Sequence, residues 1–500
     1  MPEGNGVTRG YGPGRLSEDL LVELDGTSAE PLHRQIEAAI RSAVRQGRLT
    51  PGTSVPASRT LAADLGVSRG VVVEAYRQLG GEGVLMSTPG GYTRVAAAAR
   101  DAGPWPAETT EPSTGIDFGY GRCDPGSFPR QVWLRSLRRV FTETPHDRLA
   151  YPDGHGAPEF RQAMSAYLNR VRGLRAHPDN VVACAGYAQA VNLTLGVLAR
   201  RGATRIAVED PCMDDDVLPT SRALGLEIVG IPVTDGGWDL AALTASRADV
   251  AVLTPSHQWP IGSVMSAAAR STVVRWARTT GAYVIEDDYD AEFRYDRPAV
   301  GALQGKAPDR VIYVGSASKT LIPGLRLGWM VLPDDLVAEV ADAKLLLDRG
   351  SPTIDQLAMA DFVEHGELDR HLRKMRPVYK GRRDALVRAL GSRLPGLRAA
   401  GTESGLHLVT WIPDGADEDA IVSAAAAAGV RIGTVGAYRR GPGRPGLIFG
   451  YSALTERRLD AGVDQLTAAL RLAGLDQPLT TAPVTRRERR PPSRSLITPI

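Results

Sequence analysis

Lysine is scarce in this chain and arginine is abundant. Of 59 Lys and Arg residues, only Lys306, Lys319, Lys344, Lys374 and Lys380 are lysine. Lys319 sits in a polar loop between two apolar runs, Arg310-Val311-Ile312-Tyr313-Val314 and Leu327-Gly328-Trp329-Met330-Val331, which read as buried strands. An amine can lose its proton and form a Schiff base, which a guanidinium cannot. Ser316 and Ser318 precede the lysine and Arg326 follows it. Short hydroxyls and a planar guanidinium suit a phosphate. The same residues also fit an ordinary loop lysine.

Three more stretches carry chemistry-bearing side chains. Five acids, Glu286, Asp287, Asp288, Asp290 and Glu292, follow the apolar run Tyr283-Val284-Ile285. A carboxylate at a strand end is costly unless it meets a cation, although a solvated acidic loop is the plainer account. Gly186-Tyr187-Ala188-Gln189 lies where a strand meets a helix, and free N–H groups at a helix start attract phosphate. Every α/β protein has several such turns. His257 lies in Thr254-Pro255-Ser256-His257-Gln258-Trp259-Pro260-Ile261-Gly262, where a lone histidine is more often structural than functional.

The elements that must position these residues alternate strand with helix. Runs at 181–183, 205–208, 227–229, 250–253 and 283–285 are short and apolar, with helices expected over 190–198 and 266–280. That pattern predicts an α/β domain with a mostly parallel sheet over residues 116–474, with ligands bound where strands end. A smaller C-terminal subdomain is expected from about residue 376.

The N-terminal part is different. Leu32, Ile36, Ile40 and Val44 repeat at helical spacing. A short helix over Ser58–Leu65 ends at Gly66, a left-handed cap, and Ser68 caps a third helix carrying Val71, Val72, Ala75 and Leu79. Two short helices across a tight glycine turn fit a helix-turn-helix. Gly83–Met86 and Tyr92–Val95 pair as a wing across Pro89-Gly90-Gly91. Nine arginines against four acids over residues 32–100 suit phosphate contact. A small bundle with solvated arginines is the alternative. This unit is expected over residues 28–97, after a mobile segment (1–27) and before a semi-extended Pro-rich linker (98–115). A basic, Pro-rich, disordered tail is expected over 475–500.

Ser-x-Ser-Lys-Thr-Leu-x-Pro-Gly-Leu-Arg-Leu-Gly resembles the pyridoxal 5′-phosphate (PLP) lysine loop of fold-type I aminotransferases, and most closely that of the MocR (GabR-like) regulators of the GntR superfamily. Pro31–Ile36, Val55–Ala62, Leu65–Arg69 and Ala75–Leu79 resemble the GntR winged helix. The resemblance covers residues 28–474 in order. It implies that Lys319 holds PLP as an aldimine and that Ser316 and Arg326 contact the phosphate. Ser318 is counted with them as cofactor-binding, with the turn at Tyr187 and Ala188. It gives Asp287 the pyridine nitrogen and Tyr289 the ring hydroxyl, with Glu286 the alternative to Asp287. His257 or Gln258 approaches the cofactor. Tyr151 reaches the neighbouring subunit's phosphate in a homodimer, and Arg59, Ser68 and Arg69 face double-stranded DNA.

Several positions depart from the family pattern. Gly70 stands where Thr or Asn is common. In Glu209-Asp210-Pro211-Cys212-Met213-Asp214 the ring-stacking tyrosine is replaced by Met213, while Cys212 replaces a glycine. Asp214, Asp215 and Asp216 add negative charge. Pro152 and Gly154 stand where the family has Gly and Pro. The usual carboxylate-binding arginine would fall near Ile448 and is absent. Arg439 or Arg440 is a candidate grip for a substrate carboxylate, although a pair of solvated loop arginines is the simpler reading.

The function implied is a PLP-dependent transcriptional regulator that binds an operator and senses PLP itself, an amine or an amino acid. An active aminotransferase with a DNA-binding leader is the rival, and a DNA-binding protein with a dead PLP site is a third reading. The bulk numbers are those of a globular protein, 43% hydrophobic and 23% charged, with net charge +2. Cys123, Cys184 and Cys212 form no paired framework and no metal spacing. Without an apolar run of membrane length or a basic-then-apolar leader, the expected location is the cytoplasm.

Overall fold

Apolar runs that alternate with helices are buried most fully as a sheet covered on both faces. In the computed structural model that sheet has eight strands. Their order is Val181–Cys184, Gly328–Val331, Val311–Ser316, Tyr283–Asp287, Val250–Leu253, Arg205–Asp210, Glu227–Thr234 and Gly237–Trp238. The five from Val311–Ser316 to Glu227–Thr234 are parallel. Gly328–Val331 runs antiparallel to both neighbours.

Side chains alternate across the sheet as a period of two requires. Ile206, Val208, Ile285, Ile312 and Val314 face one layer, with Val191 and Leu195 of helix Tyr187–Arg200. Ala207, Ala251, Val284 and Val311 face the other, with Val273 and Ala277 of helix Ala267–Thr280. The parallel strands therefore deliver Asp210, Leu253, Asp287 and Ser316 to the same edge of the sheet.

A second sheet, all antiparallel, follows in the order Arg398–Ala400, His407–Trp411, Gly446–Gly450 and Gly433–Thr434. The helix Glu367–Arg393 leads into it. Ile116–Asp117, at the start of this unit, pairs in parallel with Val430–Arg431 near its end. Phe118 continues the contact by accepting from the Gly450 N–H at 2.7 Å.

The chain divides into two compact units at residues 111/112. Residues 22–475 are described, apart from 23, 27, 88–91, 97–114, 122, 214, 296–300 and 402. The expected N-terminal segment, linker and basic tail lie almost wholly outside the described residues, as do the wing turn Pro89-Gly90-Gly91 and Asp214. Among the described residues no helix is long and apolar enough to cross a membrane.

The N-terminal unit is the expected winged helix. Leu32–Arg45 buries Ile36, Ile40 and Ala43 on one side. Ser58–Leu65 ends at Gly66, φ 64. There the Val67 N–H reaches Ala62 O (3.0 Å) and the Gly66 N–H reaches Ala63 O (3.4 Å), closing the helix end. Arg69–Gly81 buries Val72, Ala75 and Leu79. Tyr76 OH donates to Pro56 O at 2.8 Å, tying this helix to the chain ahead of the second. Leu85–Ser87 and Thr93–Val95 form the hairpin. Ser68 occupies the cap position, but its side chain makes no cap hydrogen bond.

One buried ion pair joins a helix to the site edge of the large sheet. Arg172, the last residue of Pro158–Arg172, donates to Asp288 through Nε (2.7 Å) and Nη2 (3.0 Å), and Tyr313 OH donates to the same carboxylate at 2.7 Å. Both charged side chains are almost fully buried. Arg172→Met strands Asp288 in a low dielectric and should cost about 3–5 kcal/mol in urea unfolding. Arg172→Met combined with Asp288→Leu should recover much of that loss. Equal stability of the single variant and the parent would contradict this reading of the pair.

Candidate functional site

Lys319 sits just beyond the strand Val311–Ser316, in the short helical turn Ala317–Thr320. Ser316 opens the turn, its Oγ accepting from the Ser318 N–H at 3.1 Å. The lysine Nζ donates to Gly121 O at 2.7 Å and lies 5.5 Å from the centre of the Tyr120 ring. Burial pulls the pKa of the amine down, while Asp287, Cys123 and Asp290 resist. At a given pH more of it is unprotonated than of a free lysine, which is the form that attacks a carbonyl carbon.

A second group forms where Val181–Cys184 gives way to the helix Tyr187–Arg200. Gly186 stands at the turn with φ 107. A Cβ there would lie 3.6 and 3.7 Å from the two terminal Arg326 nitrogens and 3.8 Å from Ser316 Oγ. The glycine thus presents bare backbone to a guanidinium and a hydroxyl. Arg326 is itself left-handed, φ 47, between the turn Pro323–Leu325 and the strand Gly328–Val331. The helix that starts at Tyr187 leaves its first N–H groups, those of Tyr187 and Ala188 among them, without partners inside the helix. Asp216 borders it, its carboxyl raised by burial and Asp215 and opposed by Arg326.

The acidic run is sorted by the strand's period of two. Glu286 turns to one face, accepts from the Leu303 and Gln304 N–H groups at 2.8 and 3.0 Å, and is pushed up to about 7 mainly by burial. Asp288 takes Arg172. Asp287 turns to the site, where burial, then Asp288 and Asp290, push its carboxyl well up while Lys319 opposes. It lines a small cavity with Tyr187, Met213, Glu209, Thr254 and Trp259. Asp287 and its alternative Glu286 thus face opposite sides of the sheet. Among the described residues Asp287 has no hydrogen-bond partner, so a cation at this cavity would find a carboxylate waiting for it.

Next to Asp287, Tyr289 OH lies 3.1 Å from His257 Nδ1, and the same nitrogen is 2.9 Å from Asp290 Oδ2. Gln258 is turned away from the cavity. Its Nε2 donates to Glu209 and Pro211 O, and its Oε1 accepts from the Ile261 N–H. Tyr120 stacks on Trp259 with ring centres 3.3 Å apart and meets His407 edge-on at 5.0 Å. One atom each from His257, Asp290 and His407 falls within 4.8 Å of the others, a spacing open to a metal ion as well as to hydrogen bonding.

Other candidates do not join this group. Tyr151 is 93% exposed. Arg439 spends Nη1 on Arg444 O at 2.7 Å, and the Arg440 N–H caps Asp210 Oδ1 at 2.8 Å. Ile448 is buried in the apolar cluster with Val409, Trp411 and Val435. In the N-terminal unit Arg59, Ser68, Arg69 and Gly70 are all exposed. A Cβ on Gly70 would meet nothing closer than Ser68 Oγ at 3.8 Å.

Sequence reasoning missed Tyr120, Gly121, Glu209 and His407. The one available signal was Gly119-Tyr120-Gly121, an aromatic between two glycines, and nothing local tied it to a lysine two hundred residues away.

Residues 113–440 match the family described as aminotransferase class I and II, and residues 32–95 match the bacterial regulatory proteins of the gntR family. The HTH-type transcriptional regulator YdeL of Bacillus subtilis is 30% identical over 91% of this chain and 100% of its own length. The HTH-type pyridoxine biosynthesis transcriptional regulator PdxR of Corynebacterium glutamicum is 29% identical over 91% of this chain and 99% of its own. The structure of a multiple substrate aminotransferase from Thermococcus profundus superposes with TM-score 0.66 at 25% identity, covering 73% of this chain and 93% of that one. With a winged helix ahead of an aminotransferase fold, and relatives matched end to end, the chain belongs to the MocR (GabR-like) subfamily of gntR-family transcriptional regulators.

Proposed function

We propose that the protein binds PLP at Lys319 and uses the occupied site to control DNA binding by its winged helix. The observation that carries this reading is the partly buried Lys319 amine, close enough to the buried Asp287 carboxylate and to Arg326, in the corner with Gly186 and Ser316, for both to act on its charge. An amine, a carboxylate and a corner of hydroxyl and guanidinium match the aldehyde, the ring nitrogen and the phosphate of one molecule. When bound, PLP supplies an electrophilic carbon that exchanges one amine for another.

Each role then falls to a residue. Lys319 attaches the cofactor, and Asp287 keeps its ring nitrogen protonated. Tyr289 donates to the ring oxygen, with His257 behind it. Ser316, Ser318, Arg326 and the N–H groups of Tyr187 and Ala188 take the phosphate. Met213 lies against the ring, where a thioether offers less flat contact than an aromatic. Tyr151, exposed on one chain, reaches the phosphate of a second in a homodimer. Arg439 is the candidate contact for an effector carboxylate once it leaves Arg444. Arg59, Ser68 and Arg69 contact operator DNA. PdxR carries pyridoxine biosynthesis in its name, which supports PLP itself as the signal. An amine or amino acid that displaces Lys319 from the cofactor is the other effector chemistry the site admits, and either ligand acts by favouring one of two states.

Lys319→Ala should abolish the visible absorbance that PLP acquires on binding, with circular dichroism unchanged; a spectrum like that of the parent would contradict the assignment. Arg69→Ala should weaken binding to the region upstream of its own or a neighbouring gene by about 1–3 kcal/mol, with no change in PLP affinity. Unaltered DNA binding would remove Arg69 from the interface. Met213→Tyr should tighten PLP by about 0.5–1.5 kcal/mol in titrations of apo-protein, and equal affinities would show that Tyr187, on the same cavity, already fills the stacking place. Steady two-substrate turnover, without any effect of PLP or amines on DNA binding, would favour an aminotransferase instead.

A further inference from the structure

The strands Val250–Leu253 and Tyr283–Asp287 are parallel neighbours, so the loops that follow them meet. His257 comes from the first loop, Tyr289 and Asp290 from the second. His257 Nδ1 faces both, at 3.1 Å from Tyr289 OH and at 2.9 and 3.2 Å from the Asp290 carboxylate oxygens. An imidazole nitrogen offers either a proton or a lone pair in that direction, never both. A bare Nδ1 would set its lone pair against an ionised carboxylate inside a low dielectric. A protonated Nδ1 donates to Asp290, and Tyr289's oxygen lies within reach as a second acceptor. The tyrosine then has no acceptor on the His257 side, and its own proton must point elsewhere.

The surroundings seal this pair. A Cβ on Gly405, φ +77, would fall 2.1 Å from His257 Cε1 and 2.6 Å from Asp290 Oδ2, so only a glycine lets the chain close over them. His407 packs against His257 with ring centres 5.0 Å apart and is bonded through Nε2 to Pro260 O at 2.9 Å. Burial, and then His257, push its pKa well below the usual value, which disfavours a competing positive charge there.

We propose that Asp290 and His257 are positioning residues that orient the Tyr289 hydroxyl proton away from the imidazole, making Tyr289 a dedicated donor to the ring oxygen of the cofactor. Asp290 keeps the proton on His257 Nδ1, and that proton fixes which way the tyrosine donates. This rests on PLP as the ligand of the site.

The test compares PLP with its 3-deoxy analogue, which lacks the ring oxygen, in titrations of apo-protein. Tyr289→Phe, His257→Phe and Asp290→Ala should each weaken PLP about three- to tenfold and leave the analogue within about twofold. Tyr289→Phe combined with His257→Phe should lose no more than Tyr289→Phe alone. Asp290→Asn keeps an oxygen acceptor for Nδ1–H and should restore most of the affinity, with thermal melting confirming that it is folded. Equal losses for both ligands would reduce Asp290 and His257 to fold support and overturn the proposal. If the parent protein binds the analogue as tightly as PLP, Tyr289 donates nothing and the proposal also falls. Failure of the parent to bind PLP at all would instead bring down the cofactor reading beneath it.

Discussion

Asp287 is buried at the end of its strand and Lys319 is half-buried just beyond the neighbouring parallel strand, whose register pairs Val314 with Asp287. Burial pulls the amine down and pushes the carboxyl up, so each is drawn toward its neutral form. The attraction between them offsets only part of that penalty, since desolvation is the larger influence on both. Of the other acids of the same run, Glu286 is met by two backbone N–H groups, Asp288 by Arg172 and Tyr313, and Asp290 by His257, while one Glu292 oxygen is buried without a hydrogen bond. Asp287 is left facing a cavity with the lysine nearby. A buried carboxylate beside a lysine suits the cationic ring nitrogen of the proposed cofactor.

The lysine also joins distant parts of its unit. Its partner Gly121 follows the Ile116–Asp117 strand, which pairs with Val430–Arg431 as a separate two-stranded sheet and touches the C-terminal sheet where the Gly450 N–H donates to Phe118 O. A Lys319 joined to a ligand would have fewer protons to donate, and its hold on Gly121 O would weaken.

Much of this was legible in the sequence. Short apolar runs marked the strands, because a parallel strand buried on both faces is mostly apolar. Ser58–Leu65 and its Gly66 stop were readable from local rules, since the left-handed cap is a one-residue requirement. The family resemblance favoured Asp287 over Glu286, whereas period two says only that they face opposite sides. Not legible was the role of Gly121, Tyr120 or His407, whose contacts join segments far apart in the chain. Ser68 sits at the cap position as expected, yet its hydroxyl is not used there, a detail that depends on one rotamer. The helix expected over 190–198 begins instead at Tyr187, because the Gly186 turn lets the helix start directly at the strand's end.

With only five lysines in the chain, the attachment point can be located chemically. The full-length protein, loaded with PLP, is reduced with borohydride to fix any link between amine and cofactor, then digested and mapped by mass spectrometry. The account predicts one phosphopyridoxyl group, on the peptide carrying Lys319. An unmodified Lys319, or label spread over Lys306, Lys344, Lys374 and Lys380, would contradict it.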